Sequence, residues 1–137
     1  MAEQIEFELV SPERLLLARP VEMVVVPGSE GDFGALPGHA PFVSILRPGV
    51  IAVFDGGQVT ERIFVAGGFA EVTAERCTVL AERAMPIDRL DRAAAEAEIG
   101  AARDDLADAK SDAERAGAEN RIAVGEAMLA ALEGSVY

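Results

Sequence analysis

The stretch AERAMPIDRLDRAAAEAEIG, residues 81–100, decides the fold because the amino-acid chemistry shifts within it. Upstream, the sequence is rich in Val, Ile and Phe, and all seven prolines occur at or before Pro86. Downstream, alanine and charged residues dominate. β-Branched and aromatic residues favour strands, whereas alanine and long charged residues favour helices. The sequence therefore predicts a β domain at residues 1–86 and a helical domain at residues 87–137.

Short apolar or alternating segments, separated by turn residues, fill the first part. Ile5, Phe7 and Leu9 alternate with Glu6 and Glu8, the pattern of a strand with one wet face. Further strands are predicted at residues 15–18, 22–26, 42–46, 50–54, 58–65, 69–73 and 77–82. The glycine- and proline-rich residues 27–41 are predicted to be a long connection. This pattern predicts a mainly β N-terminal sandwich or flattened barrel.

Two apolar stripes predict a C-terminal antiparallel α-helical hairpin. The first comprises Ala95, Ile99, Ala102, Leu106 and Ala109, and the second Ala118, Ile122, Gly125, Leu129 and Leu132. Asp88 is the expected N-cap of the first helix, and a capping box from Ser111 to Glu114 puts the break near Lys110. Since alanine and glycine bury little area, we expect the hairpin to be marginally stable and able to detach.

Charge and composition exclude several classes of function. The net charge is −12 and no run of basic residues occurs, which argues against nucleic-acid binding. No apolar run approaches the roughly 18 residues of a membrane helix, so no direct membrane insertion is expected. The N-terminal residues lack a basic region and show no signal-peptide pattern, and the single Cys77 fits a reducing compartment. We expect the protein to stay inside the cell.

No residue set indicates catalysis or a metal site. Residues 28–34 are glycine-rich, but they lack the Gly-Lys-Ser/Thr ending of a phosphate loop and include two carboxylates. His39 fits a structural or interface role better than a catalytic one, and Cys77 fits a buried apolar position. The acidic residues Asp104, Asp105 and Asp108 fit a solvated helix face better than a cation site. The sequence therefore favours a non-catalytic protein that engages other proteins.

Two segments carry a family resemblance. Residues 31–41 read GDFGALPGHAP and match G-x-x-G-x-L-P-x-H-x-P, and residues 64–72 read FVAGGFAEV and contain G-G-F-x-E-V. The sequence resembles the ε subunit of bacterial F-type ATP synthases over essentially its whole length. The resemblance implies a β-sandwich followed by a two-helix hairpin. It also implies a subunit with no catalytic site of its own in a proton-transporting complex.

The resemblance further implies partners and surfaces. Such a subunit lies in the central stalk at the cytoplasmic face of the inner membrane. It binds the γ subunit and the c-ring, couples proton-driven rotation to ATP synthesis, and can reach the α and β subunits through the hairpin. The ring-facing turn would be Ser29, Glu30, Gly31 and Asp32, and the γ-facing residues would be His39, Ala40 and Pro41.

The sequence departs from the family at the start of the hairpin. Some bacterial members carry I/L-D-x-x-R-A there, a motif linked to ATP binding. Residues 87–93 read IDRLDRA, with one residue more between Asp88 and Arg92. One helical residue rotates a side chain by about 100°, so Asp88 and Arg92 are not expected to converge on ATP, and no cofactor is expected.

The second departure concerns inhibition of ATP hydrolysis. Inhibitory members present basic residues on the last helix to an acidic loop of the β subunit. Here residues 112–133 contain only two bases, Arg115 and Arg121, and five acids. Since like charges repel, we expect weak inhibition or none. The alternative function is a free-standing nucleotide-sensing module that uses the hairpin as a clamp, and an enzyme is a third reading without a site.

Overall fold

The computed structural model describes residues 3–134 and divides into two compact units, one ending at Pro86 and the other beginning at Ile87. The first unit contains eight strands: β1 (Ile5–Val10), β2 (Leu15–Val21), β3 (Met23–Gly28), β4 (Gly31–Ala35), β5 (Phe42–Ile45), β6 (Gly49–Asp55), β7 (Gln58–Val72) and β8 (Arg76–Pro86). The second contains a 3₁₀ turn at Ile87–Arg89 and the helices α1 (Arg92–Ala107) and α2 (Asp112–Glu133). The predicted β-sandwich followed by a helical hairpin is confirmed.

The strands pair in the order β2-β1-β8-β7-β6-β3-β4, and β5 pairs separately with β7. All pairs are antiparallel except β1 with β8. The first half of β7 pairs with β6, and its last residues pair with β5. Because β7 takes two different neighbours along one edge, the sheet turns back over itself and encloses a core.

The core is built from the inward-facing aliphatic residues of both layers. Ile5, Phe7 and Leu9 all point inward from β1, as their alternation predicts. They pack with residues such as Ile51 and Val79, which are fully buried. The outer faces of the same strands are therefore left for contacts with solvent or with other proteins.

The residues predicted as two strands, 58–65 and 69–73, form the single strand β7. The glycines between them favour a break in the sequence pattern because glycine is typical of turns. Gly67 and Gly68 instead have φ angles of 75° and 105° and remain inside the strand. A Cβ at Gly68 would collide with the backbone of Leu80 on β8, so glycine is required for this close pairing.

The predicted long connection at residues 27–41 is wrong in part, because it contains β4. β3 and β4 form a tight hairpin in which Gly28 pairs with Gly31 and only Ser29 and Glu30 make the turn. Gly31 has a φ of 131°, which a side-chain-bearing residue rarely adopts. The glycines that suggested a loop are those that permit this turn.

The start of the hairpin also differs from the prediction, because Asp91 and not Asp88 caps α1. The Asp91 carboxylate accepts hydrogen bonds from the backbone N–H groups of Ala93 at 2.9 Å and Ala94 at 3.3 Å. Asp88 lies in the preceding 3₁₀ turn, which is closed by a bond from Leu90 N–H to the Ile87 carbonyl. The backbone thus completes one separate turn before the α-helix begins.

The break between the helices falls where the capping box predicts. Ser111 Oγ accepts from Glu114 N–H at 3.1 Å, and the Glu114 carboxylate accepts from Lys110 N–H at 2.8 Å. The ion pair from Arg92 at the start of α1 to Glu133 at the end of α2 shows that the helices run antiparallel.

The predicted apolar stripe of α1 is confirmed at Ala95, Ile99 and Ala102, whereas that of α2 is partly wrong. Ala118 and Gly125 are buried as expected, but the other buried residues of α2 are Val124, Met128 and Ala131. The predicted Ile122, Leu129 and Leu132 are only half-buried. A Cβ at Gly125 would collide with the side chain of Ile99, so glycine at this position makes room for Ile99 in the seam.

Candidate docking surfaces

A row of exposed apolar residues crosses the outer face of the sandwich. Strand register places Ile45 beside Phe69, Phe69 beside Leu80, Leu80 beside Val10, and Val10 beside Leu15. Paired residues in neighbouring strands share one face of a sheet, so these five side chains line up across β5, β7, β8, β1 and β2. We call Ile45, Phe69, Leu80, Val10 and Leu15 the apolar row.

The apolar row is well exposed and slightly concave. Ile45 is 68% exposed, Leu15 is 55% exposed, and Phe69 and Leu80 are about two-fifths exposed. A shallow pocket of about 240 Å³ lies at this row, and its lining includes Gly68, Phe69, Leu80, Ser11 and Pro12. Contiguous exposed apolar surface of this kind marks a site of protein contact.

The predicted γ-facing residues precede β5, the strand whose last residue, Ile45, belongs to the apolar row. Ala40 and Pro41 are exposed and lead directly into β5, where Phe42 and Val43 are exposed as well. His39 is half-buried; its Nδ1 lies 2.6 Å from the Ala40 carbonyl oxygen, and its ring lies 6.3 Å from the Phe42 ring. The motif-derived residues thus lie at the start of β5, and Ile45 of the apolar row lies at the end of the same strand.

The predicted ring-facing turn is the tip of the β3–β4 hairpin. Ser29 and Glu30 are exposed there. Arg47 forms an ion pair with Asp32, and its Nη1 donates to the Gly28 carbonyl at 2.7 Å. Arg47 does not stand out in the sequence, because it is 15 positions from Asp32 and the two segments meet only through tertiary pairing, which includes the β-bridge between Gly28 and Leu46.

The residues considered for ATP binding lie in different local structures. Asp88 belongs to the 3₁₀ turn, and Arg92 is the first residue of α1. The Arg92 guanidinium lies 3.7 Å from the Glu133 carboxylate. The expected helical rotation between Asp88 and Arg92 therefore does not describe them, since Asp88 is outside the helix.

Both bases of α2 are engaged by acids of the hairpin. Arg115 pairs with Asp112, one turn away on the same helix. Arg121 donates to Asp105 at 2.6 Å and to Glu98 at 2.7 Å, and these two carboxylates on α1 raise the pKa of the Arg121 guanidinium. The basic groups of this helix are thus directed towards the hairpin's own acids.

The other residues considered in the sequence are a buried cysteine and acids at the edge of an open pocket. Cys77 is fully buried on β8, and burial raises the pKa of its thiol to about 12. Asp105 and Asp108 border an open pocket of about 430 Å³ beside Glu114 and Arg121. Within residues 3–134, no group of three or more His, Cys, Asp or Glu side chains is arranged to hold a metal ion.

Known families account for both units of the protein. Residues 4–87 match the family model described as the β-sandwich domain of the ATP synthase delta/epsilon chain. Residues 91–137 match the model of the C-terminal domain of the ATP synthase epsilon chain. The protein belongs to the ATP synthase epsilon chain family.

Relatives in this epsilon chain family match over nearly the full length. The ATP synthase epsilon chain of Rhodospirillum rubrum is 60% identical over 134 residues, covering 98% of this chain and 100% of the relative. The epsilon chain of Paramagnetospirillum magneticum is 58% identical, covering 96% of this chain and 99% of the relative. The sequence-derived family assignment is confirmed.

Solved structures show the same epsilon fold. One chain in the cryo-EM structure of the Euglena gracilis mitochondrial ATP synthase, comprising OSCP, F1 and c-ring, superposes with a TM-score of 0.81 at 27% identity. It covers 94% of this chain and 81% of the other. A chain in the Tetrahymena thermophila mitochondrial ATP synthase central stalk and c-ring structure gives a TM-score of 0.72 at 15% identity over 96% and 99% of the two chains, which supports the fold alone. Within residues 3–134, neither helix of this epsilon chain has the length and apolarity needed to span a bilayer.

Proposed function

We propose that this ATP synthase subunit works in the central stalk, where its sandwich binds the γ subunit and the c-ring and helps couple proton-driven rotation to ATP synthesis. The observation that carries the proposal is the apolar row. Four of the seven large apolar residues that are exposed within residues 3–134 belong to it, namely Leu15, Ile45, Phe69 and Leu80. A partner that covers them removes apolar surface from water, which contributes about 25 cal/mol per Å² before the costs of association.

The surroundings of the apolar row resemble the rim of a protein interface. The next register row on the same face pairs Val43 with Glu71, Glu71 with Thr78, and Thr78 with Glu8. Glu8 is also paired with Arg76 at 2.8 Å. An apolar centre bordered by polar and charged residues is typical of interfaces between separately folded proteins. We assign the apolar row, together with His39, Ala40 and Pro41, to γ.

The acidic turn suits a second partner. Ser29, Glu30, Gly31 and Asp32 project at the end of a hairpin, where Glu30 presents an exposed carboxylate. Complementary charge guides the encounter of two surfaces more than it raises their affinity. We assign this turn to the polar, partly basic loops of the c-ring, which places the subunit peripherally at the cytoplasmic face of the bacterial inner membrane. In this arrangement the subunit transmits torque and performs no bond chemistry.

A charge placed in the apolar row tests the γ assignment. Phe69→Asp should weaken binding to γ by about tenfold or more, because a carboxylate would be desolvated at the centre of the interface. Gln58→Asp is the matched control, since it adds the same charge at an exposed position of the same strand outside the row. Both variants are measured by co-purification with γ and the c-ring and by their melting temperatures. Unchanged γ binding by a folded Phe69→Asp protein would contradict the assignment.

The hairpin is proposed to inhibit ATP hydrolysis weakly or not at all. Arg115 and Arg121 are paired with acids of the hairpin, and residues 112–133 carry an acidic surplus. Repulsion would therefore oppose docking on an acidic loop of the β subunit. Removal of all residues after Ile87 should leave the ATPase rate of the assembled enzyme nearly unchanged. A several-fold rise would show that the hairpin inhibits.

A measurement of ATP binding distinguishes the proposed stalk subunit from a free-standing nucleotide sensor. We expect no binding through Asp88 and Arg92, because Arg92 lies near Glu133 and Asp88 lies outside α1. Isothermal titration of the full-length protein with ATP measures this directly. Micromolar affinity without a stalk partner would favour the sensor.

A further inference from the structure

We propose that Arg47 is a positioning residue that holds the acidic turn in one geometry and links it to the apolar row. The inference rests on the proposed function of that turn in binding the c-ring. Its basis is a set of contacts between the turn at residues 28–32 and the connection from β5 to β6, which contains Arg47.

Backbone hydrogen bonds join the β5–β6 connection to the turn. Ser29 N–H donates to the Ile45 carbonyl at 2.8 Å, and Arg47 N–H donates to the Pro27 carbonyl at 3.0 Å. Between these two bonds, Gly28 and Leu46 form a β-bridge. A Cβ on Gly28 would lie 2.9 Å from Ser44 Oγ and from the Gly31 carbonyl oxygen, so the base of the turn is closely packed.

The Arg47 side chain holds both sides of the turn. Its Nη1 donates to the carbonyl of Gly28, which precedes the two turn residues, and its Nη2 pairs with Asp32, which follows Gly31. A planar guanidinium presents donors in two fixed directions, whereas lysine has a single ammonium head. Arg47 and Asp32 are both partly exposed, so their ion pair contributes little to global stability. Its main effect is on the conformation of the turn.

Arg47 also affects the charge that the turn presents. The turn carries Glu30 and Asp32, and Arg47 offsets the charge of Asp32. Both acids are exposed, and Glu30 is the one at the tip of the turn. A role limited to charge and a role in positioning predict opposite results on loss of Arg47. If only charge matters, loss of Arg47 makes the turn more acidic and strengthens its attraction to a basic ring. If positioning matters, loss of Arg47 leaves the turn less ordered, and it binds more weakly.

Ile45 makes the connection a link between two surfaces. Its side chain ends the apolar row, and its carbonyl accepts the Ser29 N–H of the turn. A partner that covers the row therefore packs on the residue to which the turn is bonded. Residues 45–47 therefore connect the turn to the apolar row.

Amide exchange and binding to a γ–c-ring assembly test the inference on the full-length protein. Arg47→Gln should raise exchange at the Ser29 amide by about tenfold while core amides such as that of Val79 stay protected. It should also weaken binding to the assembly several-fold, even at low salt. Arg47→Lys, which keeps the charge and loses the fork, should give an intermediate result. Glu30→Gln serves as the control that removes the acid at the tip and leaves the Arg47 contacts in place.

Each contrary outcome has a separate meaning. Unchanged exchange at Ser29, or a uniform rise across the sandwich, would overturn the positioning role. Stronger ring binding by Arg47→Gln would also overturn it in favour of charge alone. If Glu30→Gln binds the assembly normally while Arg47→Gln still frees the Ser29 amide, the ring assignment fails and the positioning of the turn stands.

Discussion

Different interactions stabilise the sandwich and the hairpin internally. Large side chains such as Phe7, Ile51 and Val53 are fully buried in the sandwich. The seam of the hairpin is formed mostly by alanine and glycine, with Ile99 as the one large aliphatic side chain buried on α1. Since buried apolar area is the main source of folding stability, the hairpin must depend more on helix propensity and caps. We therefore expect the hairpin to open at a lower free energy than the sandwich.

The ion pairs follow the same division. In the sandwich, Arg19 of β2 bridges to Asp55 at 3.0 Å and to Glu61 at 2.7 Å, and it joins strands that also share the core. The hydrogen bond to Glu61 is the main cause of the raised pKa of Arg19. In the hairpin, Arg121 reaches Glu98 and Asp105 across a seam of small residues. The partners of Arg121 are more exposed than those of Arg19, so these ion pairs add little and do not replace the missing packing of the hairpin.

The largest expected effect on unfolding free energy comes from truncating one large buried side chain in each unit. Phe7→Ala should cost about 3–5 kcal/mol of unfolding free energy, because it leaves a large cavity in a closed core. Ile99→Ala should cost about 2 kcal/mol, since the neighbouring Gly125 allows the helices to close up. Urea unfolding followed by residue-resolved NMR separates the two units.

Val43→Ala is the control for the first experiment, because Val43 is 64% exposed and its truncation leaves no cavity. Loss of sandwich signals in Ile99→Ala at the same urea concentration as hairpin signals would contradict the comparison. It would mean that the two units unfold as one.

Thiol labelling compares local opening directly. Cys77 lies in the sandwich core, and burial raises the pKa of its thiol to about 12 from 9.0. A cysteine at the buried Ala118, in a Cys77→Ala background, would report on the hairpin. At pH 8 an aromatic disulfide reagent should label the Ala118→Cys thiol at least about tenfold faster than Cys77, because the hairpin opens at lower cost. Equal rates would show that the hairpin is as protected as the sandwich.

The same thiol gives a pH dependence of defined sign. The native pKa of Cys77 lies above the unfolded one, so the native state holds the proton more tightly. Its contribution to stability is complete below about pH 9 and is lost as the pH rises towards 12. Sandwich stability should therefore fall more steeply above pH 9 in the native sequence than in Cys77→Ala.

Most of the fold could be predicted because the deciding signals are local. The alternation of Ile5, Phe7 and Leu9 located β1, and the capping box at Ser111 located the break between the helices. The glycines led to wrong predictions, because the sequence does not show whether a glycine with positive φ lies inside a paired strand or in a loop. That ambiguity hid β4 and divided β7. Similarly, Asp88 and Asp91 are both good caps, and only the 3₁₀ turn that contains Asp88 decides between them.

The sequence offered candidate surfaces only where the family resemblance named residues. The acidic turn and the His39 segment lie in or directly before the signature at residues 31–41, and both remain predictions. The apolar row could not be predicted from the sequence, because its members lie on five strands and only the register brings Ile45, Phe69 and Leu80 into line. Each strand taken alone shows only one or two apolar residues on a wet face, which is common. Arg47 is hidden in the sequence for the same reason, since its partners depend on tertiary pairing.

The smallest expected effect is also the sharpest test of the seam, since it makes one substitution at two places in α2. Alanine in place of a helical glycine favours the helix by about 1 kcal/mol. At Gly117 a Cβ meets nothing within 4 Å, so Gly117→Ala should stabilise the hairpin by about 0.5–1 kcal/mol. At Gly125 the same Cβ collides with Ile99, so Gly125→Ala should cancel or reverse that gain. Thermal melting of the helical NMR signals measures both.

Double variants identify the collision as the cause of that difference. Ile99→Val keeps a carbon at the colliding Cγ1 position, so its combination with Gly125→Ala should still lose the gain. Ile99→Ala removes that carbon, so relative to Ile99→Ala alone the added Gly125→Ala should recover the helix gain. Equal stabilisation by Gly117→Ala and Gly125→Ala would show instead that the helices are not in close contact at this point and that the hairpin lacks a packed seam there.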